Sequence, residues 1–149
     1  MTTKQLHFKW TISRGRDTYG YNICTLLVDG EKVGKTCGGG YDMQGTVLAQ
    51  WLQNNFQDEL KARFNEEISA IKPKDYLDYS GYCYKEIKNF YGTRIHGKEG
   101  KELAISLDGA CGFDSIKRVA EAIGITFQWN PESNRYKNHT YYTAFINQQ

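Results

Sequence analysis

Two glycine-rich turns contain the residues whose types and spacing are best suited to binding a ligand. The first is Cys37–Asp42 and the second is Gly109–Asp114, and each lies between an extended segment and a helical pattern. A glycine loop that enters a helix presents unpaired N–H groups and the positive end of the helix dipole, which favour a phosphate or a carboxylate. The candidate ligand-binding residues are Gly38, Gly39, Gly40, Tyr41, Asp42, Gly109, Cys111, Gly112 and Asp114.

Neither turn has the complete pattern of a known phosphate-binding loop. The dinucleotide pattern G-x-G-x-x-G and the P-loop ending G-K-[ST] are both missing from these segments. Asp42 and Asp114 stand at the expected N-cap positions, where a carboxylate accepts hydrogen bonds from the N–H groups that a phosphate would need. We therefore predict helix-entry turns first, and a nucleotide-binding or nucleotide-processing site as the alternative.

A basic and aromatic stretch from Tyr82 to Lys101 is the second candidate site. Aromatic rings stack on unpaired bases while Lys and Arg neutralise phosphates, so the stretch suits a nucleic-acid surface. The same pattern also fits core tyrosines with a solvated cationic face, and Glu86, Glu99 and Glu102 dilute the charge. In an earlier turn, Arg14 and Arg16 either contact a phosphate or form a solvated loop tip. The candidate nucleic-acid residues are Arg14, Arg16, Tyr82, Tyr84, Lys85, Lys88, Arg94, Lys98 and Lys101.

Catalytic and metal-binding motifs do not emerge from the residue pattern. The three histidines, His7, His96 and His139, stand in no H-E-x-x-H pattern and in no recognisable motif with Ser or Cys. The four cysteines include no C-x-x-C pair, which is typical of reduced, packed thiols inside a cell. We expect a binding protein rather than an enzyme, with no metal and no cofactor.

Length and composition predict a single folded domain over residues 1–149. The hydrophobic fraction of 40% supports a core without disulfides. The net charge of +2 permits contact with phosphates without requiring it. The N-terminus has no signal-peptide pattern and no apolar run is long enough to span a membrane, so we expect no membrane partner.

Hydrophobic periodicity predicts an α+β fold, an antiparallel sheet with helices on one face. Asp29-Gly30 indicates a type I′ hairpin, and Gly124 a helix stop. Residues 75–80 fit a turn or short helix, and 84–90 another. The predicted strands cover 5–12, 19–28, 31–36, 91–96, 102–107, 125–129 and 140–146, and the predicted helices 43–64 and 114–123. The expected core packs Trp51, Phe56, Val119 and Ile123 against Phe8, Trp10, Ile23 and Ile105.

The chain carries a weak internal similarity between residues 19–52 and 91–124. A shift of 72 residues aligns Tyr19, Gly20, Ile23, Gly40, Asp42 and Val47 with Tyr91, Gly92, Ile95, Gly112, Asp114 and Val119. This pattern fits an ancient duplication of a hairpin-and-helix unit. It fits equally well a convergence on one favourable hairpin-to-helix turn.

Three segments resemble an uncharacterised family of small proteins from tailed bacteriophages and their prophages. They are Arg16–Asn22, Cys37–Asp42 and Ser106–Gly112, and the resemblance extends from about Trp10 to Trp129. It implies an accessory protein in the cytoplasm of the infected bacterium that binds a host protein, such as a defence factor, or nucleic acid. It assigns no functional residue, and the sequence leaves the oligomeric state open.

Overall fold

A computed structural model describes residues 2–38, 43–69, 77–79, 82–91, 93–98, 104–107, 112–134 and 138–147. At residues 67–69, 77–79, 82–89, 94, 96, 98 and 104 the description is limited to the backbone. The elements are β1 (Thr2–Ile12), β2 (Asn22–Val28), β3 (Glu31–Gly38), α1 (Met43–Asn55), α2 (Gln57–Ser69), β4 (Leu77–Tyr79), β5 (Tyr82–Phe90), β6 (Thr93–Lys98), β7 (Ala104–Leu107), α3 (Phe113–Ala122), β8 (Ile125–Trp129) and β9 (His139–Ile146).

The strands form two antiparallel sheets, which confirms the α+β class. The large sheet has the order β3-β2-β1-β9-β8 and the small sheet the order β4-β5-β6-β7. Asp29 and Gly30 both have positive φ, 51° and 84°, as the predicted hairpin between β2 and β3 requires. The predicted C-terminal strand pair is also confirmed, since β8 and β9 are antiparallel neighbours. The separate small sheet is a departure from the single predicted sheet.

The core lies between the large sheet and the helices and continues to the small sheet. Helix α1 contacts β2 and β3 of the large sheet and β7 of the small one, and α3 contacts β8 and β6. Phe8 has no exposed surface and meets the ring of Phe113 edge-on, with centroids 5.8 Å apart. Ile23 was wrongly assigned to this core: the buried positions of β2 are Cys24, Leu26 and Val28, which alternate with it.

The predicted helix over 43–64 is divided into α1 and α2 at Phe56. Around the break, side-chain amides donate to backbone carbonyls four residues earlier: Asn55 Nδ2 to Trp51 O at 3.0 Å, and Gln57 Nε2 to Gln53 O at 2.9 Å. Such bonds compete with the backbone ladder and favour a bend. Gln57 also accepts from the Ile105 N–H at 2.9 Å and donates to the Ile105 carbonyl at 2.7 Å. This side chain thus pairs with the outer edge of β7.

Three further expectations are corrected by the structure. Residues 84–90 belong to a strand, β5, and Leu77–Tyr79 is a strand where a turn or short helix was expected. Strand β2 begins at Asn22 rather than at residue 19, because Tyr19 and Gly20 lie in the turn after β1. A single sequence shows aromatic residues there but not their strand partners, and strand pairing decides these boundaries.

Two segments share one order of elements, three antiparallel strands followed by a helix. They are β1-β2-β3-α1 and β5-β6-β7-α3, and Tyr19-Gly20 and Tyr91 lie between the first two strands of their segments. The two helices meet at Gly45, where an added Cβ would lie 2.5 Å from the carbonyl carbon of Gly112. The topology agrees with the repeated hairpin-and-helix unit, while its origin by duplication stays a prediction.

Candidate nucleic-acid interface

The large sheet has an outer face, on the side opposite the helices. We define the outer face as the strand positions that alternate with the buried positions of the same strand. Where a strand has no clear alternation, the outer positions are those paired with outer positions of the neighbouring strand. Its two central rows are Lys35, Thr25, Lys9, His139 and Lys32, Leu27, His7, Tyr141. Its other members are Thr3, Gln5, Thr11, Ile23, Cys37, Thr126, Gln128, Thr143 and Phe145. None of these positions is buried.

The charge on the outer face has one sign. Lys9, Lys32 and Lys35 are all exposed, and none of the described strand positions on this face is Asp or Glu. Within the described part of the chain, no carboxylate is paired with any of the three lysines. Lys9 and Lys35 both stand opposite Thr25 in the register, on either side of it. An unpaired cationic sheet face favours a polyanion.

Stacked rings lie at the centre of the outer face. The rings of His7 and Tyr141 are 4.3 Å apart between centroids and inclined by only 19°. His7 Nε2 and His139 Nδ1 are 2.7 Å apart, which is a hydrogen bond whose donor depends on the tautomers. These three residues, half-buried and adjacent to Lys9, combine a stacking surface with cationic neighbours.

The environment of His7 favours its neutral form. Partial burial is the main cause of a lowered pKa for this imidazole, and the neighbouring His139 and Lys9 lower the pKa further. A neutral His7 can accept or donate in the bond to His139. Protonation would add positive charge to a face that already carries three lysines.

Arg14 and Arg16 lie in the turn between β1 and β2, at one end of the large sheet. Both are exposed, as are Tyr19 and Tyr21 in the same turn. Their contact with a phosphate stays a prediction.

The predicted basic and aromatic stretch is located on the small sheet. Tyr82, Tyr84, Lys85 and Lys88 are in β5, Arg94 and Lys98 are in β6, and Lys101 lies outside the described residues. In the register Tyr84 pairs with Lys98, whereas Lys85 pairs with Gly97, which is buried. The stretch therefore does not form one row, and it belongs to a different sheet from Arg14 and Arg16.

The glycine turns are described only at their ends. Gly38 ends β3 and Gly112 is the N-cap of α3, whereas Gly39, Gly40, Tyr41, Asp42, Gly109 and Cys111 lie outside the described residues. Asp114 was wrongly predicted as an N-cap. It is the second residue of α3. The cap residue is Gly112, and the helix has no side-chain cap hydrogen bond. Helix α3 begins earlier because Phe113 packs on Phe8, and because Gly112 adopts a φ of 98° that suits glycine.

A small cavity lies next to the first turn of α1. It has a volume of about 190 Å³ and is lined by Trp10, Gln44, Asn138 and Thr140. Sites for small organic ligands usually have about 300–1,000 Å³. The alternative of a nucleotide site at the glycine turns stays a prediction, and the outer face is the better supported surface.

Other kinds of site find little support in the described residues. No group of three or more His, Cys, Asp or Glu side chains there is arranged to hold a metal ion. Cys24 is a buried cysteine and Cys37 an exposed one. None of the described helices has the length and apolarity of a membrane span. Comparison with known proteins found no matching family model, curated protein or solved structure.

The residues of the outer face are not marked as a site by the residue pattern alone. Its one usable pattern was the alternation of β1, which separates His7 and Lys9 from Leu6 and Phe8. The strand partners of His7 and Lys9 come from β2 and β9, up to 132 positions away in the chain. Only the strand order of the folded sheet brings His139 beside His7.

Proposed function

We propose that this protein binds nucleic acid through the outer face and acts without catalysis. The observation that carries the proposal is a set of three exposed lysines around stacked aromatic rings, with no carboxylate among the described strand positions of that face. Lys9, Lys32 and Lys35 supply charge for phosphates, while His7 and Tyr141 supply rings against which a base can stack.

The contrast with a second described surface supports this choice. A groove of about 1010 Å³ beside α2 and the end of α3 contains Lys4 and Arg63 but also Glu59 and Glu121. Charges of both signs do not attract a polyanion selectively. The outer face is therefore better matched to phosphates than this groove.

The setting of this activity rests on the sequence resemblance alone. We propose that the protein acts in the cytoplasm of a bacterium infected by a tailed phage, on nucleic acid of host or phage. Binding of a host defence factor stays a prediction from the same resemblance.

Fluorescence anisotropy with labelled oligonucleotides tests the proposal. The affinity should fall steeply as salt rises, with a slope of log K against log salt of about −2 or steeper on a single strand, since the three lysines of the outer face contribute about −0.7 each. A flat salt response, or no binding at low salt to either single-stranded or duplex oligonucleotides, would overturn the proposal.

A further inference from the structure

The turn between β1 and β2, residues 13–21, exposes two aromatic rings to solvent. Tyr19 is 77% exposed and Tyr21 50%, and Ile12 just before the turn is 66% exposed. Large apolar groups this open on a folded domain often mark a contact surface when several lie together. Arg14 and Arg16 are exposed in the same turn, with Asp17 as its one carboxylate.

Hydrogen bonds hold this turn in a defined shape. Ser13, itself only 6% exposed, donates its N–H to Tyr21 O at 2.8 Å and accepts at its carbonyl from Gly20 N at 2.9 Å. Its hydroxyl is 2.6 Å from Thr18 Oγ1 and accepts from Gly15 N at 3.1 Å. A turn fixed in this way loses little conformational entropy when it binds a partner.

The turn begins where the outer face ends. Thr11 and Ile23 are paired on that face, and Ser13 and Tyr21 continue the same hairpin two residues further on. From His7 to Ser13 the strand covers six residues, about 20 Å at roughly 3.3 Å per residue. A bound single strand of several nucleotides spans this distance. Single-strand binding sites on small domains cover about 4–16 nucleotides.

We propose that the ligand is a single strand that runs from the outer face onto this turn, where its bases stack on Tyr19 and Tyr21. The inference rests on the proposed function and specifies its ligand. A duplex hides its base faces inside the stack, so two exposed tyrosine rings recognise unpaired bases. Arg14 and Arg16 then lie beside the phosphates of the stacked nucleotides.

Binding of a labelled oligothymidine of about 12 nucleotides and of a duplex of the same length tests this inference. The double variant Tyr19→Ala/Tyr21→Ala should bind the single strand more weakly, by at least about fivefold for each base that no longer has a tyrosine ring to stack on. Its salt slope should equal that of the wild type, because no cation is removed. Tyr19→Phe/Tyr21→Phe keeps both rings and should bind as the wild type does.

Tyr91→Ala is the matched control. Tyr91 is 69% exposed and directly follows β5 of the small sheet. The Arg118 guanidinium stands 5.6 Å from its ring centroid. Its loss should leave the affinity unchanged. Thermal unfolding of every variant shows whether the fold is intact.

The outcomes separate the two proposals. The inference is overturned if the double alanine variant binds with wild-type affinity. If reversal of the charge of the outer-face lysines still weakens binding, the proposed function stays in place. An equal loss on duplex and single strand also overturns it. Absence of any oligonucleotide binding by the wild-type protein overturns both.

Discussion

Leu6 and Phe8 have no exposed surface, whereas Lys9, the next residue of the same strand, is exposed on the outer face of the large sheet. The buried side chains of the inner face are apolar apart from Thr140, and they pack under α1 and α3. The outer face consists of lysines, histidines, threonines and a few large side chains, without a carboxylate among its described positions. The two faces differ in chemistry although their residues alternate along each strand.

This difference separates stability from binding along a single strand. Residues of the inner face contribute buried apolar area, so their loss should act on the free energy of unfolding. Residues of the outer face contribute charge and stacking surface, so their loss should act on ligand affinity and hardly on folding. Substitutions one residue apart therefore test the comparison directly.

Phe8→Ala should have the largest effect on stability. Phe8 is fully buried against Phe113 and Tyr142, and truncation of such a side chain costs about 3–5 kcal/mol of unfolding free energy. Urea denaturation followed by circular dichroism measures the loss. Lys9→Ala is the neighbouring control and should change stability by less than about 0.5 kcal/mol. Similar losses in both variants would contradict the division between the faces.

Gly45→Ala should have the next largest effect, in the helical layer under the inner face. Alanine normally improves a helix position held by glycine, by about 1 kcal/mol. Here the added Cβ would stand 2.8 Å from Gly112 O and from Phe113 N, and backbone atoms cannot move away freely. The variant should therefore lose about 1–3 kcal/mol. Its melting temperature can be compared with that of Gly38→Ala, where the added Cβ meets nothing within 4 Å.

A stabilised Gly45→Ala protein would show that α1 and α3 do not cross at these glycines. The close contact between the segments β1-β2-β3-α1 and β5-β6-β7-α3 would then not exist.

The smallest effect on stability should come from protonation on the outer face. Because the folded pKa of His7 lies below its ordinary value of 6.5, the unfolded chain binds the proton more readily. The contribution of neutral His7 is complete above about pH 6.5 and declines as the pH falls toward the folded pKa. Urea midpoints at pH values of about 7.5 and 5.5 should differ less in His7→Gln than in the wild type. An unchanged difference would show that His7 does not titrate in this way.

The fold was predictable where a local pattern determines structure. The alternation of β1, the Asp29-Gly30 turn and the stop at Gly124 depend on neighbouring residues, and each was confirmed. The break at Phe56 was not predicted from the sequence. Beside the local amide bonds of Asn55 and Gln57, the Gln57 side chain meets Ile105 across the fold, and no sequence pattern shows that contact. The same limit explains why β5 was not recognised, since its strand partners lie in β4 and β6.

The candidate site was harder to predict than the fold. Runs such as Tyr82–Lys101 attract notice because their basic and aromatic residues are contiguous in the chain. A sheet face instead takes every second residue from several strands, as Lys9, Lys35 and Tyr141 illustrate. Surface chemistry of this kind can be recognised only once the strand order is known.

Charge reversal on the outer face tests the central claim most directly. The variant is Lys9→Glu/Lys35→Glu, and the matched control, Lys61→Glu/Lys117→Glu, makes the same change in net charge on α2 and α3. Anisotropy titrations of a single-stranded oligonucleotide over a range of salt should show a salt slope reduced by about 1.4 in the first variant, two contacts at about 0.7 each. The control should keep nearly the wild-type slope and affinity. Equal losses in both variants would show that only net charge matters, and would contradict a binding site on the outer face.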